Sequence, residues 1–152
     1  MKYTVDDIDI YIMTHNRADY LMLSIESLLN QSAGVSKITV LDNESTDNTL
    51  SAVERFSSRG VRYIRTKGFL GNFKKAQEIA SGKYVMLFHD DDILHPLYLE
   101  LALQVLNEKD DISLITTRYT EFFDDDFPGM PESIVPDYYY FEKQKDFASH
   151  MY

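Results

Sequence analysis

Short apolar runs alternate along the chain with stretches whose apolar residues recur every three or four positions. Residues 8–13 form a β-favouring apolar run, which predicts a strand. Over 20–31, Leu21, Ile25, Leu28 and Leu29 fall on one helical face. Residues 37–41 read as a second strand that opens into the polar turn Asp42-Asn43-Glu44-Ser45. Ser45 or Thr46 is placed to cap a helix over 47–58, which Gly60 stops. Residues 61–65 read as a third, short strand, and 66–71 as a loop with two glycines. Phe69, Phe73, Ala76 and Ala80 mark a helix ending at Gly82, with both phenylalanines expected in the core. Residues 84–88 are almost wholly apolar, as expected of a strand at the centre of a parallel sheet covered on both faces. His95 and Pro96 open a helix with Leu99, Ala102, Leu103 and Leu106 on one face, Pro96 being suited to its first turn. Residues 112–117 read as a fifth strand.

Strands alternating with helices imply right-handed crossovers and a mostly parallel sheet flanked by helices, an α/β architecture of the Rossmann type. The strand order stays open. Residues 1–120 carry this alternation and form the expected domain. The tail at 121–152 differs: three prolines and one glycine accompany the acidic run Asp124-Asp125-Asp126, with no clear period. The aromatic run Tyr138-Tyr139-Tyr140-Phe141 comes next, then a short helix from Glu142 onward. This tail reads as a flap or as the start of a region that continues in a longer protein. Its aromatic run suits packing better than stacking on the ring of a ligand, and His150 adds no signal.

Composition narrows the function classes. The chain of 152 residues has a formal net charge of −10 and a sequence pI of about 4.7. Neutralising nucleic-acid phosphates needs clustered Lys and Arg, so a nucleic-acid partner is not expected. The absence of cysteine removes disulfides, zinc–thiolate sites and thiol catalysis. Asp6, Asp7 and Asp9 at the start of the chain are wrong for a signal peptide, and no apolar run approaches the roughly 18 residues of a membrane span. The expected location is cytoplasmic, with the inner face of the membrane as the alternative.

The remaining signal lies just after the strands, because open α/β sheets bind ligands outside the carboxyl ends of their strands. Thr14, His15, Asn16 and Arg17 come after the first strand, Asp42, Asn43 and Glu44 after the second, and His89, Asp90, Asp91 and Asp92 after the fourth. Three adjacent aspartates repel one another and raise each other's pKa, a cost that a hard divalent cation relieves. Mg2+ or Mn2+ with a substrate diphosphate fits such a rim; the alternative is that Asp92 caps the next helix while the others face water. Gly68, Gly71 and Asn72 precede a helix start, where backbone amides can approach a phosphate or simply form a tight turn. His15 suits either a ligand contact or a hydrogen bond to backbone. His89 suits either a metal or the orientation of the aspartate loop, and His95 the start of a helix.

Five segments, in order, carry a family resemblance: Ile12-Met13-Thr14-His15-Asn16-Arg17; Ser24-Ile25-Glu26-Ser27-Leu28-Leu29-Asn30-Gln31; Leu41-Asp42-Asn43-Glu44-Ser45-Thr46-Asp47-Asn48-Thr49; Gly71-Asn72-Phe73 with Ala80-Ser81-Gly82-Lys83-Tyr84; and Phe88-His89-Asp90-Asp91-Asp92-Ile93-Leu94-His95-Pro96. Across about residues 8–118 the chain resembles the family 2 glycosyltransferases, which have the GT-A fold. The resemblance implies that Thr14 and Asp42 line the pocket for the nucleotide base, that Asp90 lies near the ribose, and that Asp91 binds the metal with support from Asp92. It places the Gly68–Asn72 loop near the nucleotide, makes Arg17 a phosphate contact and adds Asn16 to the donor-binding set. His89 precedes three aspartates where the family often has a hydrophobic residue and an aspartate before the metal pair. The first ligand among Asp90, Asp91 and Asp92 therefore stays open.

The implied activity is metal-assisted, inverting transfer of a sugar from a nucleoside diphosphate sugar, a UDP-sugar above all, to a glycan or lipid-linked acceptor. A peripheral membrane association and a homo-oligomer are compatible with it. No segment matches the family's later acceptor region, so the chain is expected to stop before it and to lack the catalytic base; Asp124 to Asp126 come too early for that role. The rival readings are a donor-binding module that is inactive alone and a sugar nucleotidyltransferase. The second resembles a glycine-rich loop with arginine after the first strand, and residues 14–19 contain no glycine. A phosphoacceptor receiver domain needs paired acids after the first strand and a lysine after the last, and neither is present.

Overall fold

The structure is a computed structural model, and it describes residues 2–68, 70–109, 111–117 and 121–122. The chain divides into two compact units, 1–117 and 118–152. The expectations for Phe69, Asp124 to Asp126, Tyr138 to Phe141, the helix from Glu142 and His150 lie outside the described residues.

The first unit alternates strand and helix: β1 Ile8–Thr14, α1 Ala18–Leu29, β2 Lys37–Asn43, α2 Thr49–Glu54, β3 Val61–Thr66, α3 Gly71–Ile79, β4 Tyr84–His89 and α4 Tyr98–Glu108. The four strands form one parallel sheet in the order β3-β2-β1-β4. The chain thus builds outward from β1 to β3, then crosses back to place β4 on the other side of β1. All seven residues of β1 are buried. Its even positions Ile8, Ile10 and Ile12 join Leu21, Ile25 and Leu28 of α1 and Leu99 and Leu103 of α4 in the main core. On the opposite face Tyr11 and Leu41 pack with Ala76 of α3. Among the described residues no helix is long and apolar enough to cross a membrane.

Several expectations change. Residues 112–117 form no strand: Leu114 is 68% exposed, and no described strand pairs with the outer edge of β4. An apolar run without a partner for its backbone cannot form a sheet. For the same reason β4 is not the covered centre of the described sheet. It is an edge whose Val85 and Leu87 stay 46% and 43% exposed while Phe88 is buried. Phe73 is not core, being 47% exposed on the outer side of α3. Asp92 caps no helix, because α4 begins only at Tyr98 and has no side-chain cap. Pro96 precedes that start, and its carbonyl accepts from the Ser32 amide at 2.9 Å. Neither Ser45 nor Thr46 caps α2; Asp47 Oδ1 accepts from the Thr49 amide at 3.0 Å instead. The helix expected over 47–58 is broken into α2 and a 3-10 turn at Ser57–Arg59, ended by Gly60 at φ 85°.

The enclosed strand β1 carries one buried charge. Asp9 is 4% exposed, and its Oδ2 accepts from the amides of Ser81 at 2.6 Å and Gly82 at 2.7 Å. Lys37 Nζ lies 3.1 Å from Oδ1. The turn fits only without a side chain at 82, where a Cβ would stand 2.8 Å from the Asp7 carbonyl oxygen. Burial works to raise the Asp9 pKa, but the two amides and the ammonium outweigh it and hold it at about 2, below the ordinary 3.8. A depressed folded-state pKa stabilises the fold above the unfolded value, and that contribution disappears as the pH falls from about 4 to about 2. In urea unfolding, Asp9→Asn should therefore be less stable than the parent at pH 7 by about 2 kcal/mol, with the gap closing toward pH 2. A gap that stays constant with pH would show that the charge of Asp9 contributes nothing.

Candidate functional site

Parallel register brings the strand ends to one rim. Thr14 stands opposite Asp42, Asn43 opposite Thr66, and Met13 opposite His89. The order of strands reverses between β1 and β4, and a crevice at such a switch point is where open α/β sheets take ligands. The two loops bordering it are Thr14 to Arg17 and His89 to Asp92.

The loop after β1 is fixed by the loop after β2. Asn16 adopts φ 53°, a left-handed conformation that asparagine tolerates. Its amide donates to Ser45 Oγ at 2.8 Å, and its Oδ1 accepts from the Thr46 amide at 2.7 Å. Asp47 Oδ2 accepts from the Ala18 amide at the start of α1, at 3.2 Å. His15 Nδ1 donates to the Asn43 carbonyl at 2.7 Å, so this histidine is bound to backbone. Asn16 thereby acts as a brace between the loops.

Asp42 is 1% exposed, and both its oxygens are engaged inside the protein. Oδ1 accepts from the Ser45 amide at 3.1 Å and from the Ser45 hydroxyl, and Oδ2 accepts from the Tyr63 phenol at 2.5 Å. Burial, and then the hydrogen bond to Asp42, push the Tyr63 phenol up to about 12. Thr66 Oγ1 has the Asp42 carbonyl at 3.2 Å and hydrogen-bonds with Asn72 Oδ1, which ties the first turn of α3 to the rim. Gly68 turns the preceding loop at φ 84°, its carbonyl accepting from the Gly71 amide at 2.8 Å. At this rim Thr14 Oγ1 and Asn43 Oδ1 are buried with no hydrogen-bond partner.

The acidic loop is held from α1. Ser24, Ser27 and Gln31 recur at spacings of three and four on the face that also carries Leu21 and Leu28. Ser24 Oγ lies 2.8 Å from the Asp90 carbonyl and 2.7 Å from the Asp92 carbonyl, one hydrogen serving the two. Ser27 Oγ accepts from the Leu94 amide at 3.1 Å. Gln31 donates to the His95 carbonyl at 2.8 Å and accepts from the Leu99 amide at 2.9 Å. Sequence reasoning assigned these three residues no role. Their signal was available: polar side chains at helical spacing on an otherwise apolar face.

The three aspartates therefore differ. Asp90 is 4% exposed, whereas the Asp91 side chain is 46% exposed. Arg17 Nη1 reaches both, at 3.3 Å from Asp90 Oδ1 and 2.5 Å from Asp91 Oδ2. Desolvation in the crowded loop, then Asp91, raise the Asp92 carboxyl, with Asp90 adding to this and His89 opposing it. Among the described residues no three acidic or histidine side chains converge as a metal cage. The donor set instead suits a cation held by one or two carboxylates and completed by substrate phosphates, the habit of Mg2+ and Mn2+.

An all-parallel sheet flanked by helices, with an acidic loop at its switch point, is an α/β domain of the Rossmann type. The family model for glycosyl transferase family 2 matches residues 9–151, and the chain belongs to that family. It is 30% identical over 116 residues to a chondroitin synthase of Pasteurella multocida, covering 73% of this chain and 12% of that one. Among solved structures it is similar to S. aureus TarS in complex with UDP, at TM-score 0.57 and 23% identity over 66% of this chain and 32% of that one. It is also similar to the mannosyltransferase PcManGT of Pyrobaculum calidifontis in complex with GDP-Man and Mn2+, at TM-score 0.59 and 21% identity over 68% and 32%. These likenesses show the fold, and the chain spans about a third or less of each of these proteins.

Tyr63 is the rim residue whose removal isolates the Asp42 network. Tyr63→Phe leaves a buried carboxylate oxygen without its donor and should lower stability by about 1–3 kcal/mol in thermal or urea unfolding. The ultraviolet titration of the parent should contain a phenol at about 12 that the variant lacks. A variant as stable as the parent would show that Asp42 does not depend on this bond.

Proposed function

We propose that this chain is the donor-binding portion of an enzyme that transfers a sugar from a nucleoside diphosphate sugar, a UDP-sugar by preference, to a glycan or lipid-linked acceptor. The observation that carries this reading is the meeting of Arg17 with Asp90 and Asp91 at the switch point beside β1. A guanidinium and an exposed carboxylate on opposite walls of one crevice suit a diphosphate bridged by a divalent cation. Family membership and the nucleotide-bound states of TarS and PcManGT support the same reading.

Asp91 is the exposed carboxylate and the first choice of metal ligand, with Asp92 beside it. Asp90 is buried and fixed through its carbonyl by Ser24, and the family resemblance assigns it to the ribose side. Buried polar atoms are normally paired, so the unpartnered Thr14 hydroxyl and Asn43 carboxamide oxygen are the groups best suited to the edge of a base. Asp42 and Tyr63 form the floor beneath them, because the Asp42 carboxylate is already occupied. Asn72 and the Gly68 turn close the outer side. A divalent cation in such a site supplies neutralisation of the charge that develops on the leaving nucleoside diphosphate. Inversion at the anomeric carbon is the stereochemical expectation. The base that deprotonates the acceptor is assigned to no residue described.

Calorimetric titration tests the reading directly. UDP should bind the chain saturably in the presence of Mn2+ and at least about tenfold more weakly in its absence. Asp91→Ala should lose the metal-dependent part while keeping the parent's melting temperature, since its side chain is half exposed. Heats for the parent no larger than dilution would overturn the assignment.

A further inference from the structure

The contact between Arg17 and the aspartates has a consequence for the order of events. Arg17 occupies the N-cap position of α1, and its carbonyl accepts from the Leu21 amide at 3.0 Å, so its backbone is fixed. The preceding residue is braced by Ser45 and Thr46. The Arg17 side chain, in contrast, is 51% exposed, and of the two oxygens it touches the closer belongs to Asp91. The side chain is free to leave while its base stays in place. The carboxylate it covers is the one that the donor reading needs for the cation.

We propose that Arg17 is an exchangeable internal counter-ion. It neutralises the Asp90–Asp91 pair while no donor is bound, yields Asp91 to the divalent cation, and carries its own charge to the incoming diphosphate. This deepens the donor-site reading and rests on it. The electrostatics support an exchange over a permanent bridge. Three carboxylates in sequence need positive charge in either state, and an exposed ion pair is weak enough to open. A divalent ion displaces a monovalent one most readily when a second anion, the diphosphate, receives the displaced guanidinium. Metal and nucleotide should therefore bind cooperatively, each removing part of the cost of displacing Arg17 that the other meets alone. Such coupling is reciprocal. Among the described residues two further cations border this rim: Lys67 pairs loosely with Glu44 at 3.9 Å, and Arg65 donates to the Ser45 carbonyl at 3.1 Å.

The test measures binding rather than turnover. Free Mn2+ is counted by electron paramagnetic resonance over the full chain, with and without UDP, for the parent, Arg17→Gln, Arg17→Lys, Asp91→Ala and the double variant Arg17→Gln with Asp91→Ala. Arg17→Gln should bind Mn2+ alone about 2- to 5-fold more tightly than the parent, the range expected when one exposed ion pair is removed. The same variant should bind UDP in saturating Mn2+ about tenfold more weakly, so the cooperativity between the two ligands falls. Arg17→Lys should restore part of both effects. The gain should vanish in the Asp91→Ala background, because the competition is for that carboxylate. A merely structural arginine would lower Mn2+ affinity when removed, so a loss or no change in Arg17→Gln overturns the proposal. Undiminished cooperativity in that variant overturns it as well. If the parent binds Mn2+ but no UDP, the donor-site reading fails and the exchange onto a diphosphate fails with it. The Mn2+ measurement then still decides whether Arg17 competes for Asp91.

Discussion

The structure depends on one strand being wholly enclosed. β1 is paired on both edges and buried on both faces, so no residue along it is more than 9% exposed. A strand in that position must be apolar on both sides, and Ile8, Ile10, Tyr11, Ile12 and Met13 meet the requirement. The residues after Thr14 then emerge where the strand leaves the core, between the loops after β2 and β4. The site is a consequence of where an enclosed strand ends. Asp9 is the one charge the strand contains, and the Ser81 and Gly82 amides together with Lys37 make it tolerable.

The acidic loop poses a different problem. Asp90, Asp91 and Asp92 repel one another and would spread if left to themselves. The carbonyls of Asp90 and Asp92 are instead tied to α1 by Ser24, while Ser27 holds the Leu94 amide that comes after them and Gln31 holds the start of α4. A helix that supplies apolar contacts to the core thus also supplies the hydrogen bonds that set the loop. The consequence is an asymmetry: one aspartate is buried, one is half exposed beside Arg17, and one has its carboxyl pKa raised by desolvation and then by Asp91. Three identical residues acquire three different environments through the placement of their carbonyls. The chemistry proposed for Asp91 rests on that difference.

The rim shows how much a polar network absorbs. Asp42 stands at the end of β2 much as Asp90 stands after β4, yet its carboxylate already accepts from Ser45 and Tyr63. The atoms that remain unpaired are the less conspicuous Thr14 hydroxyl and Asn43 carboxamide oxygen. A strand-end carboxylate is therefore no guide by itself to ligand contact. Its hydrogen-bond partners decide whether it faces outward chemically or serves as scaffold.

The sequence by itself determined the alternation of elements. The apolar runs at 8–13, 37–41, 61–65 and 84–88 and the helical periods between them reflect local burial, which composition records directly. It also determined which residues come after each strand, and so the set of rim groups from Thr14 to Asp92. Family membership too was legible in the ordered motifs. Tertiary structure alone decided the strand order, since parallel pairing is a long-range choice that no local spacing encodes. It therefore decided that β4 is an edge of the described sheet, that 112–117 finds no strand partner among the described residues and that Phe73 is exposed. It also decided the pairing of Arg17 with Asp90 and Asp91, which brings together residues more than seventy positions apart. Periodicity reports how deeply a residue is buried; only the closed set of contacts reports which partner it meets.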